Sequence, residues 1–177
     1  MKKLIFLLMM PVLCFGQNLN DDSSGYKGYI QTGYCIGATT YGFGRTKLDI
    51  VNGYKFNSET SIGIGIGLRW YDLHKYAYFP IYFNLNHTFL DFSWKNSSPF
   101  FSVSIGATPN AVNEYLSPGF YANPSFGISI KSKKKASFNI GLGYEYQRDQ
   151  FMLVSGYDVY LIDVNNGAIS IDLSYLF

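Results

Sequence analysis

Hydrophobic and polar residues alternate along most of this chain with a period of two. In TSIGIGIGLRWYD, Ile62, Ile64, Ile66, Leu68 and Trp70 share one face, and Ser61, Gly63, Gly65, Gly67 and Arg69 share the other. ASFNIGLGYEYQ repeats the design, setting Phe138, Ile140, Leu142, Tyr144 and Tyr146 against Ser137, Asn139, Gly141, Gly143, Glu145 and Gln147. FPIYFNLNHTF, FFSVSIGAT, FYANPSFGISIK and the closing SIDLSYLF follow the same rule. YIQTGYCIGATT and KLDIVNGYKFN are less regular, and Asn52 interrupts the apolar face of the second. Successive strand side chains point to opposite sides, so this period predicts strands with one apolar face. The expected spans are 28–40, 46–56, 60–71, 78–89, 99–108, 120–131, 136–147 and 167–177. Each is near the 9–11 residues that cross a bilayer at a tilt.

The connections fall in two sets, and the last two of the second set are the longest. NSE near 57–59, DFSWKNSS near 91–98 and KSKKK at 131–135 fall on the side of both termini. Residues 41–45, 72–77, 109–119 and 148–166 fall on the other. The last stretch is partly apolar, and SGYD reads as a hairpin tip, so the final two strands can run on beyond the membrane. Two additional short strands there are the alternative.

Alternation alone fits two barrels, a soluble one with apolar residues inside or a membrane one with them outside. Composition separates them. Charged residues make up only 15% of the chain and aromatics 19%, against about 25% charged in ordinary soluble domains. A soluble barrel needs Lys and Glu on its polar face, whereas here that face is mostly Gly, Ser, Asn and Thr. No stretch after Gly16 resembles a transmembrane helix. A chain can then span a bilayer only as a closed barrel, because lipid offers no partner for a free N–H or C=O. The expected fold is all-β, an eight-stranded antiparallel up-and-down transmembrane β-barrel.

The amino terminus, MKKLIFLLMMPVLCFGQ, reads as a secretory signal peptide cut after about Gly16. A lipoprotein signal on Cys14 would want a small residue before it, and Leu13 stands there. Cutting sixteen of the 177 residues leaves 161 and removes two of 14 basic residues, so 12 basic face 12 acidic. The charge balance therefore gives no case for nucleic acid. Cys35 remains alone, which rules out an internal disulfide. The expected organisation is a signal peptide at 1–16, a short segment at 17–25 and a barrel at 26–177.

Two stretches carry a resemblance. The end of the chain, with Ile171, Leu173, Tyr175 and Phe177 alternating to a final aromatic, resembles the closing strand of Gram-negative outer membrane β-barrels. That resemblance implies a signal read by the barrel-assembly machinery. NGYKFNSETSIGIGIGLRWYD, followed by FPIYFNL and SPFFSVSIG, resembles the small outer membrane β-barrel domain proteins of the eight-stranded OmpA/OmpX-like kind. The likeness spans about residues 26–177. It implies a location in the outer membrane with both termini periplasmic and membrane lipids as neighbours, and it says little of function.

Candidate chemistry is sparse. Asp49, Lys55, Arg69, Glu145 and Asp172 fall on the lumen face. Charges there cannot be buried alone, so they are expected to pair across the barrel. Such a network either plugs the lumen or gates a narrow path for ions or small solutes. Eight strands leave room for side chains or one small ligand, not for a general porin. Trp70, Tyr71, Tyr78, Phe89, Phe92, Trp94, Tyr146, Tyr175 and Phe177 lie near predicted strand ends, as an aromatic girdle does. His74 and His87 are the only histidines, and no motif sets a serine beside either, so a lipid-hydrolysing site is not expected. Distant histidines do not suggest a metal, and no cofactor is implied. KSKKK reads as a solvated basic turn. The function expected is non-enzymatic, structural or surface-interacting, with a narrow channel or a soluble apolar-ligand barrel as alternatives.

Overall fold

The computed structural model describes residues 24–40, 43–71, 76–109, 118–132, 136–155 and 158–177. Its strands are β1 (Gly25–Gly37), β2 (Arg45–Lys55), β3 (Thr60–Tyr71), β4 (Tyr76–Tyr78), β5 (Ile81–Thr88), β6 (Ser97–Thr108), β7 (Gly119–Lys131), β8 (Ser137–Ser155) and β9 (Asp158–Leu176). All neighbours are antiparallel, and β1 pairs with both β2 and β9, so the sheet closes on itself. β4 and β5 continue one register against β3 and form a single stave. Pro80 interrupts it because proline has no N–H to give to the ladder, although its carbonyl still accepts from Gly67 N at 2.9 Å. The barrel thus has eight staves.

The registers fix its shape. Gly25 pairs with Lys55, and the walk continues through Ser61, Asn86, Ser102, Ser125, Gly143 and Ser170 to Cys35. One circuit therefore returns to β1 ten residues further on. With a rise of ~3.3 Å per residue and ~4.8 Å between strands, that shear tilts the strands by about 41° and sets a radius of about 8 Å. A 12-residue strand such as β3 then rises about 30 Å along the axis, which covers the apolar band of a membrane barrel.

The faces are inverted relative to a soluble protein. Ile62, Ile64 and Ile66 on β3, Phe83 on β5, Phe126 and Ile128 on β7, and Ile171 and Leu173 on β9 all point outward and are exposed. Arg45, Lys47, Asp49, Arg69, Asn84, Glu145 and Asp172 are buried inside. A soluble barrel holding an apolar ligand would need the reverse, so this arrangement removes that alternative. Asn52 sits on the outer face, the polar exception that the sequence marks.

Several expected boundaries move. β1 and β6 begin earlier than the alternation suggests, and β8 and β9 run for 19 residues each. They form one long hairpin, and among the described residues there no extra short strand occurs. At the computed tilt they stand about 15–20 Å beyond the other staves. His74, the region 1–16, most of 17–25 and Lys133–Lys135 lie outside the described residues.

The outward face generates a test. Ile64→Lys, near the middle of β3, should lower the unfolding free energy in a bilayer by about 2–4 kcal/mol. Urea titration in vesicles would read it. A change as small as that of an ordinary exposed substitution would contradict a lipid-facing β3.

Candidate functional site

The lumen carries the chemistry, and β2, β3 and β8 build its centre. Alternation puts Arg45, Lys47 and Asp49 on one face of β2, Arg69 on β3 and Glu145 on β8. Glu145 is the hub. Its Oε1 accepts from Arg45 Nε at 2.8 Å, and its Oε2 accepts from Arg69 Nε at 2.7 Å and from the Tyr121 hydroxyl at 3.0 Å. Arg69 also donates from Nη1 to Asp49 Oδ1 at 2.9 Å and from Nη2 to Tyr121 Oη at 2.7 Å. The guanidinium is thus held by two carboxylates and a phenol, a geometry that suits its planar fork of donors.

A second pair lies beside the first. Lys47 Nζ is 2.9 Å from Asp172 Oδ1, close enough to pair though not aligned as a hydrogen bond, and 3.9 Å from Glu145 Oε2. The Asn123 amide, oriented by its partners, turns its oxygen to Lys47 Nζ at 2.9 Å and its nitrogen to Pro124 O at 3.2 Å. Ser170 Oγ donates to Asp172 Oδ2 at 3.1 Å. Three cations therefore meet three carboxylates, with side chains at most 6% exposed. The cluster is electrically balanced, which is what burial of charge demands.

Aromatic rings and glycines complete the filling. Arg69 lies over the Tyr121 ring and Arg45 over the Tyr71 ring, with guanidinium carbons 5.4 and 5.3 Å from the centroids. Tyr82 stacks on Tyr121 at 5.4 Å. Gly65 and Gly67 face inward on β3. A Cβ at Gly65 would run into the Tyr82 ring, and one at Gly67 into Asp49 and Arg69. The small size of Gly65 therefore makes room for the Tyr82 ring, and that of Gly67 for the Arg69–Asp49 pair. Nearer the rim of the termini, the lumen is lined mostly by neutral polar groups such as Asn84, Asn86, Ser102 and Asn139, with Lys27 Nζ donating to Asn86 Oδ1 at 3.4 Å. A cavity of about 20 Å³ lies there and another of about 10 Å³ lies against Lys47 and Asp49, each the scale of one water.

Of the charges singled out in the sequence, the structure brings Asp49, Arg69, Glu145 and Asp172 into one cluster. Lys55 does not join it. It lies at the opposite end of β2 from Arg45, in register with Gly25 and Ser61. The sequence reading missed Arg45, Lys47 and Tyr121. The alternation of RTKLD already puts Arg45 and Lys47 on the face of Asp49, but Arg45 fell in the expected 41–45 connection, and the parity of Lys47 was passed over.

Two aromatics expected in the girdle belong inside instead. Tyr71 is fully buried, and Tyr78, in register with inward Arg69, meets the Tyr71 ring at 5.5 Å. Strand parity overrides proximity to a strand end. Trp70 and Phe89 point outward, and Tyr146, half-buried, bonds through its hydroxyl to Asn165 Oδ1 at 2.7 Å. At the terminus, Ile171, Leu173 and Tyr175 are outward and exposed. Phe177 still pairs with Gly28, by bonds of 3.0 and 3.2 Å. His87 meets the Thr60 hydroxyl at 2.9 Å and the Phe89 ring at 4.7 Å. No serine motif foretold that hydroxyl partner.

No family model matches the chain, and no curated protein matches it. Solved structures do. Neisserial surface protein A is 10% identical, with 86% of this chain and 98% of that chain covered at a TM-score of 0.60. OprG from Pseudomonas aeruginosa is 11% identical, with 89% and 98% covered at 0.54. The outer membrane protein AlkL, determined in lipid bilayers, is 12% identical, with 92% and 94% covered at 0.52. The likeness is one of fold. This chain has the closed eight-stranded antiparallel fold of outer membrane β-barrels.

The cluster generates a stability contrast. Glu145→Ala would leave Arg45 and Arg69 buried without their shared carboxylate, and should cost about 3–5 kcal/mol. Arg148 pairs with Asp163 at 2.6 Å on the exposed hairpin, and Arg148→Ala should leave the unfolding midpoint unchanged. Denaturant titration of both variants checks this, and equal effects would contradict a buried hub at Glu145.

Proposed function

We propose that this protein is a non-enzymatic outer membrane barrel whose lumen is plugged, and that it serves as a structural element or as a surface for interaction on the cell exterior. The observation that carries this reading is the buried Arg45–Glu145–Arg69–Asp49 cluster, which fills the centre of the lumen with paired charge. The long β8–β9 hairpin supports an outward role, since it places backbone well beyond the apolar belt. One structural neighbour bears the name of a surface protein.

In this reading residues 1–16 are a cleaved export signal and residues 26–177 form the barrel. Ile171, Leu173, Tyr175 and Phe177 are the signal for the barrel-assembly machinery. Trp70, Phe89 and Tyr146 contribute to the aromatic girdle. Membrane lipids are the constant partner, nucleic acid has no place, and the extracellular ligand is open.

A narrow channel is the second reading. The water-sized cavities below the cluster favour it, because a polar chamber already reaches the Lys47–Asp172 pair from one side. Current across planar bilayers separates the two. The plug reading expects no steady conductance from the wild-type protein. A steady current that changes in Arg69→Ala would contradict the plug and establish the path.

A further inference from the structure

The lumen holds more cations than the central cluster uses. Lys27 on β1 shares the face of buried Tyr29, and Lys55 on β2 shares that of buried Val51 and Asp49. Alternation therefore turns both side chains into the barrel, at the mouth on the side of the termini. Lys27 is opposite Gly53, and Lys55 is opposite Gly25. The two lysines are thus diagonal neighbours on adjacent strands, about 7–8 Å apart at the backbone.

Lys27 crosses this mouth. Its Nζ donates to Asn86 Oδ1 at 3.4 Å, and Asn86 stands on β5, three staves round the barrel. That is a long bond to a neutral amide. Arg45, Lys47 and Arg69, by contrast, each have a carboxylate oxygen at 2.7–2.9 Å. Among the described residues Lys27 has none, and the charge that bears on it most is a second cation, Lys55.

The inward carboxylates above are already engaged. Asp49 is bound to Arg69, and Asp172 lies beside Lys47 and Ser170. Glu59, in the β2–β3 turn, and the terminal carboxylate of Phe177 share the rim, but neither forms an ion pair with Lys27. A half-buried ammonium without a counter-ion carries a desolvation cost that an anion would offset. Other donors stand by. Asn86, with its oxygen held by Lys27, keeps its amide nitrogen as a donor. Ser61, buried, lies between Lys55 and Asn86 in register and adds a hydroxyl. Two ammonium groups, an amide nitrogen and a hydroxyl suit an oxyanion.

We infer that Lys27, Lys55, Ser61 and Asn86 form a binding site for a small oxyanion of the phosphate type at the mouth of the lumen nearest the termini. The inference deepens the plug reading and rests on it, because the cluster above closes the lumen and makes this mouth a blind pocket. Its occupant is a free anion and not a lipid headgroup, since both lysines face the lumen and not the lipid wall.

The test uses the full mature chain folded in octyl glucoside, a detergent without phosphorus, with inorganic phosphate as the probe. The phosphorus-31 line width follows binding. The site predicts saturable broadening by the wild-type protein and binding about tenfold or more weaker in a Lys27→Gln, Lys55→Gln double variant. Lys27→Gln alone should also weaken it, whereas Lys95→Gln, on the outer turn, should bind as the wild type does. A heat-dependent gel shift identifies the folded variants. No saturable broadening by folded wild-type protein would overturn the site, and so would equal binding by the folded double variant. Asp21 and Asp22 stand shortly before Lys27 in the sequence. Phosphate bound only after Asp21→Asn and Asp22→Asn would overturn the site too, since the counter-ion would then belong to the chain. Steady current through the wild-type protein would contradict the plug and leave phosphate binding to be read separately.

Discussion

In hydrocarbon there is no water to satisfy a backbone N–H or C=O, and every other feature of this barrel follows from that constraint. An open sheet would present two unpaired edges. Pairing β9 with β1 removes both, and the ladder holds to the final residue through Phe177 and Gly28. Closure with a ten-residue circuit then fixes the tilt, the radius and the set of side chains that face each other across the lumen. A one-residue slip at any seam would exchange the inner and outer faces of that stave. The greasy outer face and the polar inner face therefore specify the registers as well as occupying them.

An interior of this radius has to be filled, and the filling sets what the molecule can do. Small residues such as Gly65 and Gly67 leave room for long ones such as Tyr82 and Arg69. Burying Arg45, Lys47 and Arg69 is tolerable only because Asp49, Glu145 and Asp172 neutralise them at close range. Glu145 serves two arginines and a tyrosine hydroxyl together, so the cluster is strongly coupled. Its position toward the rim opposite the termini leaves the other half of the lumen polar, slightly roomy and lined mostly by uncharged groups, with the Lys27 ammonium beside Asn86. That asymmetry is the physical basis for choosing between a plug and a path. The outer wall meets lipid throughout, and at one point of its lower edge it ends in an aromatic turn that exposes Phe92 and Trp94.

Much of the architecture was legible from period-two alternation because side-chain direction in a strand is a local property. The TSIGIGIGLRWYD and ASFNIGLGYEYQ strands needed nothing else. The length of β8 and β9 was only partly legible, since alternation weakens where a strand leaves the membrane and no longer needs an apolar face. Pro80 blurred the β4–β5 stave for a different reason, the missing N–H. The cluster was half legible. Parity shows which charges face inward, but which of them meet depends on register around the whole circuit, and that cannot be read from one strand. Tyr71 and Tyr78 show the cost of weighing position along a strand above parity. Arg45 shows that a strand start can be mistaken for a loop, whereas Lys47 lay inside the expected strand and its inward parity was passed over.

The central claim is a closed barrel with its apolar face in the membrane. The most direct measurement is the migration of the outer membrane fraction on a detergent gel, boiled against unboiled. A ladder closed all the way round should resist detergent until heated, so the protein should sediment with the outer membrane and shift its position on boiling. Recovery as a detergent-free soluble protein, or identical migration before and after heating, would contradict the account.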